Sequence, residues 1–193
     1  MIETNQPKYE ISKLDGARRL IHAAIRMIFE SEDALAVNLL VQSADRVLSD
    51  LIEENGLDDV IWNSGIVKTE HIKSLRDFVR RPSNFLKHAD QHPEEKLGIF
   101  EVGPFSESSL YLAILRYRHL ASSFTSHMKF FIGYYLMRNP THGEVDEQQA
   151  QALTQLAALE SDITKLRHFW RAAALKELSY ATEKIEDCRD AVG

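Results

Sequence analysis

Arginine, lysine and histidine crowd one short stretch of this chain. Residues 76–92 read RDFVRRPSNFLKHADQH and hold three arginines, one lysine, two histidines, one asparagine and two aspartates. Arginine grips phosphate or carboxylate oxygens through a planar fork, and lysine adds a compact point charge. Histidine titrates near neutral pH and can carry a proton to or from a reacting oxygen. Pro82 stands in the middle, where it removes a backbone donor and disfavours helix at the residue before it. Polar, proton-transferring side chains at a backbone break have the make-up of an anion site with a proton carrier beside it. Arg76, Arg80, Asn84 and Lys87 are the anion-binding candidates, and Arg81 and His88 are the candidates for catalysis.

Arg81 and His88 have six residues between them. On a chain whose pattern is helical throughout, the pair resembles the R-x(4–6)-H signature of HEPN-type all-α domains. The resemblance implies that the Arg and His of two protomers face each other, and many members of that family cut RNA without a metal. In such a site Arg81 clamps a phosphate and steadies charge in the transition state. His88 moves the proton of the attacking or leaving oxygen. Asn84 or Lys87 adds a hydrogen bond or a second positive charge. The plainer alternative pairs Arg81 with Asp77 or Asp90 and makes His88 a helix cap.

Two other constellations compete. His88, Asp90 and His92 alternate along the chain, so an extended segment puts all three on one side. Two imidazoles and a carboxylate could hold zinc or a similar divalent ion if a fourth ligand arrived. Arg116, His119, Ser123 and His127 are spaced to share a helix face. They read as a satisfied polar seam in a bundle or interface, or as a cleft lining opposite residues 76–92. His22 reads as a surface histidine among basic residues. No Walker loop, dinucleotide fingerprint or G-x-S-x-G is present, and no Glu is followed three residues later by His, as a bundle di-iron site would need. The single cysteine, Cys188, excludes a disulfide framework and a multi-cysteine zinc site.

The elements that must position these residues are helical. Eight glycines and five prolines in 193 residues leave few turns. Apolar residues recur at helical spacing over residues 14–30 and again over 33–55, where Asn55-Gly56 is a stop. Thr69 suits the cap of a third helix that Pro82 should end near Arg81, with a short restart over residues 83–88. Gly98, Gly103 and Pro104 read as irregular connection. Ser106 then looks like the cap of the longest helix, running to Arg138, and residues 146–187 read as a last helix. The expectation is an all-α, mostly antiparallel helical bundle of four long helices plus one or two short ones. It forms a single domain over residues 1–193, with residues 1–12 as a flexible arm.

Charge narrows the partners. The chain carries −6, which does not suit a general nucleic-acid coat. Residues 68–92 nevertheless hold six basic and three acidic residues, a net +3 that leaves −9 for the remainder. A local positive spot on an acidic protein suits a specific anion, such as a phosphate. The polar start lacks the apolar run of a secretory signal, and His127 and Lys129 interrupt the most apolar stretch, so a cytoplasmic protein with no membrane partner is expected. Broad apolar stripes on the two late helices point to a homodimer. Three functional alternatives stand: an anion- or RNA-binding site at residues 76–92, a non-catalytic module with a protein partner, and a divalent-metal site.

Overall fold

The computed structural model describes residues 10–59, 61, 69–87, 90, 93–98 and 102–139. These hold five helices: α1 (Lys13–Glu30), α2 (Ala34–Glu54), α3 (Thr69–Lys87), α4 (Val102–Ala121) and α5 (Ser126–Arg138). No strand occurs among the described residues, and the fold is all-α. None of these helices is long and apolar enough to cross a membrane. The expected helix over residues 146–187 lies outside the described residues.

The first two helices start and stop where side chains can satisfy their ends. The Ser12 hydroxyl accepts the Asp15 N–H at 3.0 Å, and Asp15 adds negative charge to the first turn of α1. Ser31, at φ 60°, closes α1 in the left-handed conformation, with its N–H donating to the Ile28 carbonyl at 3.2 Å. Two residues later the Asp33 carboxylate caps α2 by accepting the Leu35 and Ala36 N–H groups. So short a connection makes α1 and α2 an antiparallel hairpin. Gly56, at φ 64°, follows the end of α2.

The expected helix from Ser106 to Arg138 is two helices. Gly103 and Pro104 are not connection but the first turn of α4, where a missing N–H has no intrahelical acceptor to disappoint. Ser106 is inside the helix, and its hydroxyl donates to the Val102 carbonyl at 2.6 Å. The break comes at Ser122, at φ 59°. Thr125 then caps α5 by accepting the Met128 N–H at 3.3 Å. Hydroxyl side chains that compete for backbone groups made this corner, and apolar periodicity alone could not show it. α5 folds back on α4, with Tyr135 Oη donating to Ser108 Oγ at 3.1 Å and Arg138 pairing with Glu107 at 3.1 Å.

The antiparallel expectation holds for these two hairpins but not for α2 and α4, the pair in most extensive contact among the described helices. Asn38 meets Ser106 and Asp45 meets Arg116, so both chains run the same way. Parallel neighbours need a crossover, and the stretch containing α3 supplies it. The core lies where α1, α2, α4 and α5 meet, around Ile21, Val41, Leu48, Ile114 and Phe131. α3 packs beside it, against α2 and to a lesser extent α4.

α3 corrects the expectation at Pro82. The helix does not stop at Arg81; it continues to Lys87 with Pro82 inside it. The ring costs one backbone hydrogen bond. Pro82 and Ser83 are both buried against the bundle, and the Ser83 hydroxyl donates to the Arg80 carbonyl at 3.1 Å. Tertiary packing of the inner face outweighs the local preference to break.

Candidate anion-binding face on the third helix

Continuity through Pro82 decides how the basic residues are arranged. Lys73, Arg76, Arg80, Asn84 and Lys87 are spaced by three or four residues, so an unbroken helix lines them along one face. At 1.5 Å rise per residue the row is about 21 Å long. Lys73, Asn84 and Lys87 are exposed, while Arg76 and Arg80 are half-buried at its inner edge. Asp77 is exposed one step round the helix.

Arg81 stands beside the row. Its side chain is 59% exposed and reaches Glu95 at 3.4 Å, not Asp77 or Asp90. So long and exposed a pair contributes little and leaves the guanidinium accessible. His88 and His92 lie outside the described residues, and Asp90 is an exposed turn residue. The Arg81–His88 pair and the H-x-D-x-H set therefore fall partly outside the described structure. Among the described residues no group of three or more His, Cys, Asp and Glu could hold a metal ion.

An ionic seam underlies this region. The Arg116 side chain, 2% exposed, is the largest fully buried one among the described residues. Its Nε and Nη2 donate to Asp59 Oδ2 at 3.1 and 2.9 Å, and Nη1 donates to Asp45 Oδ1. Asp59 also accepts the Ile61 N–H at 2.9 Å, so Arg116 pins the connection after α2 to the α2–α4 interface. Burial pushes the Asp45 carboxyl above the usual carboxylate range, against the pull of Arg116 and, more weakly, of Arg80. Farther along, Asn38 Nδ2 donates to Ser106 Oγ at 3.3 Å, with Gln42 and Ser109 also buried.

The four polar residues expected to share one face have three different fates. Arg116 is in the seam, as the bundle reading anticipated. His119 and Ser123 are exposed. His127 is across the α4–α5 corner, where its ring stacks on His22 with centroids 4.4 Å apart. His22 is consequently not a free surface histidine. Its Nε2 lies 2.9 Å from Thr125 Oγ1, and the ring is half-buried. Burial, then the charges of His127, Arg18 and Arg26, hold it at about 4 against an ordinary 6.5.

Sequence reasoning passed over Asp45, Asp59 and Glu107. A usable signal existed for the first: Asn38, Gln42 and Asp45 repeat at helical spacing inside an apolar helix, as Ser106, Ser109 and Arg116 do in α4. Two such polar stripes of matching period are the mark of a shared seam. Comparison with protein-family models, curated proteins and solved structures gave no match. The fold places the chain among all-α proteins, and its task has to be argued from the site.

Proposed function

We propose that this protein binds the phosphates of RNA or of a nucleotide along the exposed face of α3. The observation that carries the reading is the continuity of α3 through Pro82, which turns a basic cluster into a row. Successive row positions are about 5–6 Å apart, a separation that suits consecutive phosphates of an open single strand. The −9 carried outside residues 68–92 repels nucleic acid elsewhere and confines it to this face. Arg81, accessible beside the row, is the phosphate clamp of a HEPN-like, metal-independent RNA cleavage in which His88 moves the proton.

Binding and cleavage are tested separately. Fluorescence anisotropy with a labelled single-stranded RNA should show affinity falling in Lys73→Glu and Lys87→Glu, with a shallower salt dependence. Cleavage is followed with chelator present, in wild type, Arg81→Ala and His88→Ala. Equal cleavage in all three removes the catalytic part and leaves the binding part standing.

A second reading, self-association or a protein partner without catalysis, is favoured by Leu86. It continues the helical line of Val79 and Pro82 yet is 43% exposed. Light scattering on the purified protein checks it: a dimer that Leu86→Asp converts to monomer supports that reading, and a wild-type monomer contradicts a homodimer.

A further inference from the structure

We propose that the seam between α2 and α4 binds one internal water molecule, held between the side-chain amides of Asn38 and Gln42. The proposal does not rest on any ligand at α3. Asn38 and Gln42 lie one helical turn apart on the same face of α2 and are buried, at 1% and 5% exposure. Asn38 Oδ1 and Gln42 Nε2 meet no hydrogen-bond partner among the described residues. Buried amide atoms are almost always paired, with protein or with ordered water, because a bare one forfeits its hydration.

Ser106 fixes the direction of the Asn38 amide. Its hydroxyl lies 2.6 Å from the Val102 carbonyl, which can only accept, so the hydroxyl proton is used there. Towards Asn38, Ser106 Oγ can therefore only accept, and the group 3.3 Å away has to be the donor Nδ2. Oδ1 is left as an acceptor on the other side of the amide. Gln42 Nε2 offers N–H donors one turn farther along α2, and the two amides do not bond to each other. Helix neighbours at this spacing have Cβ atoms about 5–6 Å apart. One water, with hydrogen bonds of about 2.8 Å on either side, spans that interval. It donates to Asn38 Oδ1 and accepts from Gln42 Nε2. Turning the Gln42 amide over would present Oε1 instead, and water could donate to both.

An ion does not suit this position. The orphan atoms are one amide acceptor and one amide donor, so either sign of charge would meet a single favourable partner. Val41, Leu110 and Ala113, buried on the same two helices, are apolar. The charged groups of the seam, Arg116 and Asp45, are paired with each other. The chemistry calls for a neutral molecule that both donates and accepts, and at this separation that molecule is water. Buried waters typically make about three hydrogen bonds. Ser109, buried on α4 one turn beyond Ser106, is the candidate for the third.

Oxygen relaxation dispersion of isotope-labelled solvent water tests this on the full chain. It counts whole water molecules held for longer than the protein takes to tumble, and exchanging hydroxyl protons do not contribute. Wild type is compared with Asn38→Leu/Gln42→Leu, which replaces both amides by apolar groups of similar size. The wild-type dispersion should exceed the variant's by the amplitude of one water. Equal amplitudes overturn the proposal. Should the double variant not fold, the wild type decides. Its Gln42 side-chain amide protons should show a nuclear Overhauser contact with water, of the sign that marks a long-lived site. The contact should persist in Ser109→Ala, which removes a hydroxyl that could relay it. No contact with water at that amide, or a contact that vanishes in Ser109→Ala, would equally overturn the proposal.

Discussion

Arg116 holds one buried positive charge between two carboxylates, those of Asp45 and Asp59. Removing the guanidinium takes this buried charge partner from both. Arg116→Ala should cost about 3–5 kcal/mol in urea unfolding, the scale for breaking a buried ion pair from one side. Replacing Arg116 by Met and Asp45 by Leu together should cost less than Arg116→Ala alone, because one of the two carboxylates is then gone. A loss below about 1 kcal/mol for Arg116→Ala would contradict the pin. His22 gives a pH signature of known sign. Its ring is held at about 4 in the fold against 6.5 ordinarily, so as pH falls the unfolded chain takes the proton first. Its contribution is full above pH 6.5 and drains away between 6.5 and 4. The loss is on the order of 1–2 kcal/mol for a half-buried, partly screened ring. Asp45 and Glu107, both raised chiefly by burial, act in the opposite sense. The difference between wild type and His22→Gln isolates the histidine: melting points should converge as pH falls from 6.5 to 4, and parallel curves would sink the assignment. The seam role of Arg116 was legible from sequence, but its partners were not, and the role of His22 was not. Arg116 could be placed on a helix face, but Asp59 is 57 positions away and Thr125 is 103 positions from His22. Only the tertiary fold brings such partners together.

Helices were legible wherever one apolar stripe and one cap agreed. α1 and α2 fall within a residue or so of their sequence limits because Ser12, Asp33 and Gly56 mark ends that the stripe also respects. The reading failed where two local signals conflicted. Pro82 outvoted the stripe in sequence and lost in the fold, because Pro82 and Ser83 are buried. At Ser122 the stripe ran on through a corner that only the backbone shows. The candidate residues of α3 were named from sequence, but their alignment into a row was not, since it requires the helix that Pro82 argued against. Pro82→Ala tests the element directly. It restores one backbone donor, so it should leave RNA affinity within about twofold and helicity equal or higher. A large change in affinity would mean that the proline itself shapes the binding face, contrary to a row set by helix continuity alone.

At the scale of the molecule, the described residues set a parallel α2–α4 pair in the core, joined by a crossover that carries the net-positive stretch of residues 68–92. The helical class was legible in composition and periodicity. The parallel pairing was not, because adjacent stripes say nothing about which distant helices share a seam. The acidic remainder and the basic row of α3 together make an electrostatic prediction that no single contact makes. Association with RNA should depend steeply on salt, and that dependence should belong to α3. The most direct test measures affinity for a labelled single-stranded RNA across a salt series, for wild type and for Lys73→Glu/Lys87→Glu. A binding face on α3 requires a clear negative slope for wild type that falls by about one to two units in the variant, the amount expected when two phosphate contacts are lost. An unchanged slope, or no binding by the wild type at low salt, would contradict the claim that α3 is an anion-binding face.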